Sequence, residues 1–190
     1  MKSHLIGVIC LLGISFSYGQ MDRLYLKLSY IGGMIVNPGI SLGLNYELLG
    51  SSVVEETSSK SISALRVGFA LDFYHHRRLN TGLSLGPMVE WVRTTPKGFQ
   101  YGAALSTGYL RTFIPNTFEI KENNQMQRNK FAGTNHFFYG LGLRFGKCLD
   151  LDDEKSLEWF VKPNLQFQSP YFEQSNKYFL TEIGVNYSMN

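Results

Sequence analysis

The chain is predicted to be all-β, an eight-stranded antiparallel transmembrane β-barrel after a cleaved signal peptide. Three observations predict it. Apolar residues recur with period two in eight separate segments. The residues between them are mostly Gly, Ala, Ser and Asn, not the Lys, Glu, Gln and Thr of a water-facing sheet. Charged residues make up only 17% of the 190 residues, while aromatics make up 14%. A small polar second face suits a crowded interior, and the large apolar face then points outward into lipid.

Residues 1–19 read as a secretory signal peptide. Lys2 supplies the positive start, Leu5–Phe16 the apolar core, and Ser17-Tyr18-Gly19 small residues at the two positions a signal peptidase reads, with cleavage before Gln20. A lipoprotein signal on Cys10 is disfavoured because bulky Ile9 precedes it and the apolar core runs past it. The chain therefore divides into a leader, 1–19, and one barrel domain, 20–190. Loss of Lys2 leaves 17 of the 18 basic residues against 15 acidic ones. That scattered excess of two argues against a nucleic-acid partner. Cys148 is then the only cysteine, so no intramolecular disulfide forms. No run of 18 apolar residues marks a transmembrane helix.

The first strand carries Leu24, Leu26, Leu28 and Tyr30 on one parity, opposed by Lys27 and Ser29. In the second, Ile40, Leu42, Leu44 and Tyr46 oppose Ser41, Gly43, Asn45 and Glu47. The clearest stretch is the central hairpin. Leu65, Val67, Phe69, Leu71 and Phe73 oppose Arg66, Gly68, Ala70 and Asp72; a turn follows at His75-His76-Arg77-Arg78; then Thr81, Leu83 and Leu85 run on to Val89 and Trp91 with Glu90 opposed. Tyr101, Ala103, Leu105 and Tyr109 form the fifth strand, and Phe137, Tyr139, Leu141, Leu143 and Phe145 the sixth, opposed by Arg144 and by glycines at 140, 142 and 146. Trp159, Val161, Leu165 and Phe167 oppose Lys162 in the seventh; Phe179, Ile183, Val185 and Tyr187 oppose Glu182 in the eighth. Each segment has roughly nine to twelve residues, the length a tilted strand needs to cross a bilayer. Lipid cannot satisfy an open sheet edge, so the strands must close. Eight strands leave a lumen that side chains fill.

Two features need accommodation. Pro87 and Pro163 lie inside strands, where bulges or early strand ends are expected. The link at 49–61 is long for the side on which it falls; the longest link, 114–135, contains a candidate hairpin of 117–121 with 127–130.

The inward charges are Lys27, Arg66, Arg144 and Lys162 against Glu47, Asp72, Glu90 and Glu182. Charges enclosed in a narrow barrel must pair, and this balanced set predicts a plugging ion-pair network. Tyr30, Tyr46, Phe73, Trp91, Phe99, Tyr101, Phe137, Trp159 and Tyr187 fall near strand ends, where aromatic girdles form.

This combination of leader, eight alternating segments and glycine-rich inner face resembles the small outer-membrane β-barrels of Gram-negative bacteria, the OmpX and OmpA transmembrane-domain type. The resemblance covers nearly the whole mature chain, as a pattern and not as a signature motif. It implies residence in the bacterial outer membrane, with outer-membrane lipid or lipopolysaccharide and other envelope proteins as partners and no cofactor. Such barrels often end on an aromatic residue, whereas this chain ends Tyr187-Ser188-Met189-Asn190.

Candidate chemistry is sparse. His75, His76, Arg77 and Arg78 form a polar turn that is a candidate for contact with lipid phosphates; adjacent strand residues face opposite ways and cannot share one metal ion. His136 is a lone histidine at a strand start, read as solvated or interfacial. Asp150, Asp152, Asp153 and Glu154 open like a calcium loop, but Lys155 and Val161 stand where glycine and the bidentate glutamate belong, so the stretch reads as a solvated turn. Some eight-stranded barrels act on lipid A through a serine two residues after a histidine; here Phe138, Arg77 and Arg78 occupy those positions. The expectation is a non-catalytic barrel with a structural or loop-mediated interaction role. The alternatives are a lipid A-modifying enzyme, a narrow pore and a secreted soluble ligand-binding barrel.

Overall fold

The computed structural model describes residues 24–33, 37–54, 60–75, 81–114, 117–120, 126–129, 132–152, 155–171 and 174–189. Residues 1–19, read as a leader, and His76, Arg77 and Arg78 lie outside the described residues. Ten strands follow in order: β1 (Leu24–Gly33), β2 (Asn37–Val54), β3 (Lys60–His75), β4 (Thr81–Thr94), β5 (Phe99–Phe113), β6 (Thr117–Ile120), β7 (Met126–Asn129), β8 (Gly133–Asp152), β9 (Lys155–Tyr171) and β10 (Gln174–Met189). Eight of them close into one barrel, each antiparallel to its chain neighbour, with β5 passing directly to β8 and β10 returning to β1. β6 and β7 form a separate two-stranded sheet. This is the candidate hairpin of the sequence, within a residue or two of its expected limits.

Closure follows from the alternation. Each strand has one face that only lipid or a core can cover, and the closed ladder leaves no membrane-level backbone edge unpaired. The register also fixes the width. From Leu24 it passes through Tyr46, Val67, Val89, Leu105, Leu141 and Leu165 to Phe179, which lies ten residues before Met189, the β10 partner of Leu24. A stagger of that size tilts the strands by roughly 45° and leaves a lumen that side chains can fill.

The burial is inverted relative to a soluble protein. Among the described residues, thirty-two large apolar side chains are exposed and nine hydrophobic ones are buried, while twenty polar or charged residues are buried. Phe137 is 70% exposed and Leu105 58%, whereas Arg144 and Asn186 are fully buried. A water-facing surface does not carry a continuous apolar band of this size. A bilayer covers one about 25 Å tall.

The strands are longer than the alternation suggests, from 10 residues in β1 to 20 in β8. The ladder continues into water at both rims, where neither face needs to be apolar and the period-two signal fades. The expected loop at 49–61 is therefore mostly strand: β2 and β3 pair from Leu49↔Leu65 down to Val54↔Lys60, past a register shift between Glu47 and Leu49. His75, read as the start of a turn, is the last residue of β3.

The prolines neither bulge nor end their strands. Pro87 stays in register opposite Phe69, but the β4–β5 rungs at Gly86 and Pro87 are missing while Leu85↔Tyr109 and Met88↔Ser106 hold on either side. Pro163 behaves alike: it pairs with Thr181, and the β8–β9 ladder skips from Gly142↔Asn164 to Phe145↔Val161. Each ring costs one donor and no shift, because an apolar ring on the lipid face needs no solvation. Beside Pro87 the strands press close, and a Cβ on Gly86 would come within 2.7 Å of the Gly108 Cα.

Candidate functional site

Two parts of the barrel carry chemistry: the lumen and the rims. One rim holds the strand ends Leu24 and Met189 and the turn 95–98 and is termed proximal; the other, distal, holds the β3–β4 turn and the β6–β7 sheet.

The proximal half of the lumen is filled by an unbroken chain of alternating charges. Glu47 faces Arg66 (Nε–Oε2 3.7 Å), and Arg66 grips Glu158 with both terminal nitrogens, at 2.7 and 2.8 Å. Arg144 bridges Glu158 (3.0 Å) to Glu90 (3.3 Å), Lys162 bridges Glu90 (3.0 Å) to Glu182 (2.7 Å), and Lys27 closes the series on Glu182 at 2.7 Å. Four acids alternate with four bases, so the series is neutral. Neutral donors complete the shells. Tyr25 donates to Glu47, Ser29 to Glu182, and Gln100 and Asn186 to Glu158. The Arg66 guanidinium lies 3.9 Å from the Tyr25 ring centroid, and Arg144 lies 4.3 Å from that of Phe160. Every barrel strand contributes, β5 through Gln100, so the network staples the wall all the way round.

The structure brings together Lys27, Glu47, Arg66, Glu90, Arg144, Lys162 and Glu182, as the inward parity suggests. It does not include Asp72. That carboxylate sits in the distal half of the lumen and accepts a bond from Ser84 at 2.9 Å. Its place in the network belongs to Glu158. Glu158 shares the inward parity of Lys162, but the apolar alternation of the seventh segment begins only at Trp159, one residue after it. Parity identifies a face but not a height. Asp72 and Glu90 both point inward, yet only Glu90 stands level with Arg144 and Lys162.

Distal to the network is a cavity of about 30 Å³, lined by Lys27, Lys162, Glu182, Asp72, Asn164 and Gln166 among others. This is space for a few waters and not for a solute. The Asn164 Oδ1, buried with no protein partner, supplies an acceptor for one of them. Above it, His136 is not solvated: it is 5% exposed and points into the lumen, 2.7 Å from the Thr134 hydroxyl. The inward parity of β8 turns it away from the lipid face where an acyl donor would lie. His75 Nδ1 meets Thr81 Oγ1 at 2.8 Å, a cross-strand pair on the distal rim. Among the described residues no three His, Cys, Asp or Glu side chains converge as metal ligands. β8 runs through Asp150 to Asp152, so the stretch read as a solvated turn begins as strand.

Aromatic rings crowd both rims. Trp91 meets Tyr101 edge-on at 6.3 Å proximally; distally Tyr109 meets Phe137 at 6.4 Å and Tyr139 stacks on Phe167 at 5.0 Å. Tyr46 and Tyr187 are half-buried, and Tyr30 folds back over Gly32, where a Cβ would lie 2.8 Å from its hydroxyl. The β6–β7 sheet adds exposed Phe118 and Met126 at the distal rim.

No protein-family model matches the chain, and no curated protein matches it. Among solved structures it is similar to Ail, the attachment invasion locus protein of Yersinia pestis, at a TM-score of 0.40 and 11% identity over 88% of this chain and 97% of that one. It is also similar to the β-domain of the Bordetella autotransporter BrkA, at a TM-score of 0.37 and 12% identity over 87% of this chain and 67% of that one. The fold rests on the chain's own closed ladder and inverted burial, not on either likeness. By those two features the chain is a closed eight-stranded antiparallel barrel with an apolar outer band and a polar, ion-paired lumen.

Proposed function

We propose that the protein is an integral barrel of the bacterial outer membrane, delivered by a leader at 1–19, with a non-catalytic structural or interaction role exercised at its distal end. The observation that carries this reading is the inverted burial. The lumen is a closed, neutral ion-pair plug, so function is left to the rims and links. The distal end is favoured because the β6–β7 sheet projects there with Phe118 and Met126 exposed, at 58% and 76%. Outer-membrane barrels carry short turns toward the periplasm and longer loops outward, so the distal end faces outside. The partner is a surface ligand, another envelope protein or lipopolysaccharide. His75, at the same rim, and His76, Arg77 and Arg78, which follow it in the chain, are candidate contacts for its phosphates.

The test is an epitope inserted between β6 and β7, in residues 121–125. On intact cells the epitope is expected to be reached by antibody, and the protein to stay in carbonate-washed outer membranes. An epitope reached only after permeabilisation, or protein in the soluble periplasmic fraction, overturns the reading.

A further inference from the structure

The outer surface at the proximal rim carries a patch that the distal role does not use. The chain has two tryptophans. Trp91 on β4 and Trp159 on β9 are both exposed on the lipid face at this end. Between them, β5 presents Phe99 and Tyr101, whose ring centroids are 6.5 Å apart. Just beyond these rings, on the same outward parity, stand Arg93 of β4 and Lys147 of β8. Arg93 pairs across to Tyr101, and Lys147 to Phe99 on one side and Trp159 on the other. The register of Arg93 runs through Tyr101 to Phe145, two residues from Lys147, so Arg93 and Lys147 are two strand spacings and two residues apart, about 12 Å, with the two β5 rings between them. The turn at 95–98 carries exposed Lys97 and is pinned to β8, where the Cys148 N–H donates to the Gly98 carbonyl at 2.8 Å. The turn is possible because Gly98 takes a φ of 78°. The Cys148–Gly98 bond holds the backbone next to Lys97 against Cys148, the neighbour of Lys147. At the distal rim Arg111 donates to Asn135 at 2.8 Å and lies 5.4 Å from the Phe113 ring, and Lys177 lies on β10.

Three basic heads at the edge of an aromatic girdle mark the level of lipid phosphates, with acyl chains running over the rings. We infer that Arg93, Lys97 and Lys147, with Trp91, Tyr101 and Trp159, form a binding site for an anionic phospholipid headgroup in the leaflet at the proximal end. The inference rests on the membrane-spanning reading.

The two tryptophans report on this site directly. The full mature chain is refolded into vesicles of phosphatidylcholine and phosphatidylglycerol, with bromine on the acyl chains of one lipid or the other, and tryptophan quenching gives the relative association constant. The expected preference for phosphatidylglycerol is about fivefold, the worth of one well-placed basic residue, and it falls at high salt. R93Q/K97Q/K147Q brings the ratio to about one, and R111Q/K177Q leaves it unchanged. Heat-modifiability on a gel verifies folding of each variant; should the triple variant not fold, K147Q alone is expected to lower the preference. A ratio near one in the unsubstituted protein, or a preference retained in the folded triple variant, overturns the lipid site while the barrel reading stands. No quenching by either lipid overturns the membrane-spanning reading itself, and the site with it.

Discussion

Glu158 is the residue on which the lumen most depends. It takes both nitrogens of Arg66, one of Arg144, and the amides of Gln100 and Asn186. Removing one partner of a buried pair leaves the others charged and uncompensated, at a cost of about 3–5 kcal/mol. Glu158→Gln is therefore expected to lower the unfolding free energy of the refolded barrel, read from urea titration, by that amount. Asp72→Asn, which disturbs one hydrogen bond from Ser84, costs about 1 kcal/mol. Equal effects of the two substitutions would contradict the network as drawn. The sequence made seven of the eight members legible, because the strand period places every charge on the inner or the outer face. It did not make the pairing legible. Height in the lumen depends on the accumulated stagger of eight strands, which no single strand records.

At the scale of elements, the two prolines make a sharper test than the strands they interrupt. The missing rungs beside Pro87 follow from its absent N–H, since the ladder resumes in register on both sides. Pro87→Val supplies that donor without moving the strand and is expected to stabilise the barrel by about 1 kcal/mol. A fall in the urea midpoint would mean that the neighbouring close approach at Gly86 requires the ring. The β6–β7 sheet is a second separable element. It pairs with itself and not with the barrel ladder. Replacing 115–131 with a short Gly-Ser link should leave the folded gel band unchanged and the unfolding free energy unchanged within about 0.5 kcal/mol. The eight barrel strands and this hairpin were legible from alternation alone. Their lengths were not, because beyond the membrane the ladder persists while the apolar-polar contrast that reveals it disappears, as at 49–54.

For the whole molecule, the fold stands on one inversion: charges inside, Leu, Phe and Tyr outside. The neutral plug predicts no single-channel current in planar bilayers, and steady currents at low protein load would contradict a closed lumen. The leader predicts that the purified mature chain begins at Gln20, read by N-terminal sequencing. The central claim is that the exposed apolar band is covered by a membrane around a closed barrel. It is tested most directly by comparing unboiled and boiled samples of isolated outer membranes on an SDS gel. The account predicts a compact, faster-migrating band that shifts to the unfolded position on boiling. A single unshifted band, with the protein in the soluble periplasmic fraction, would contradict it.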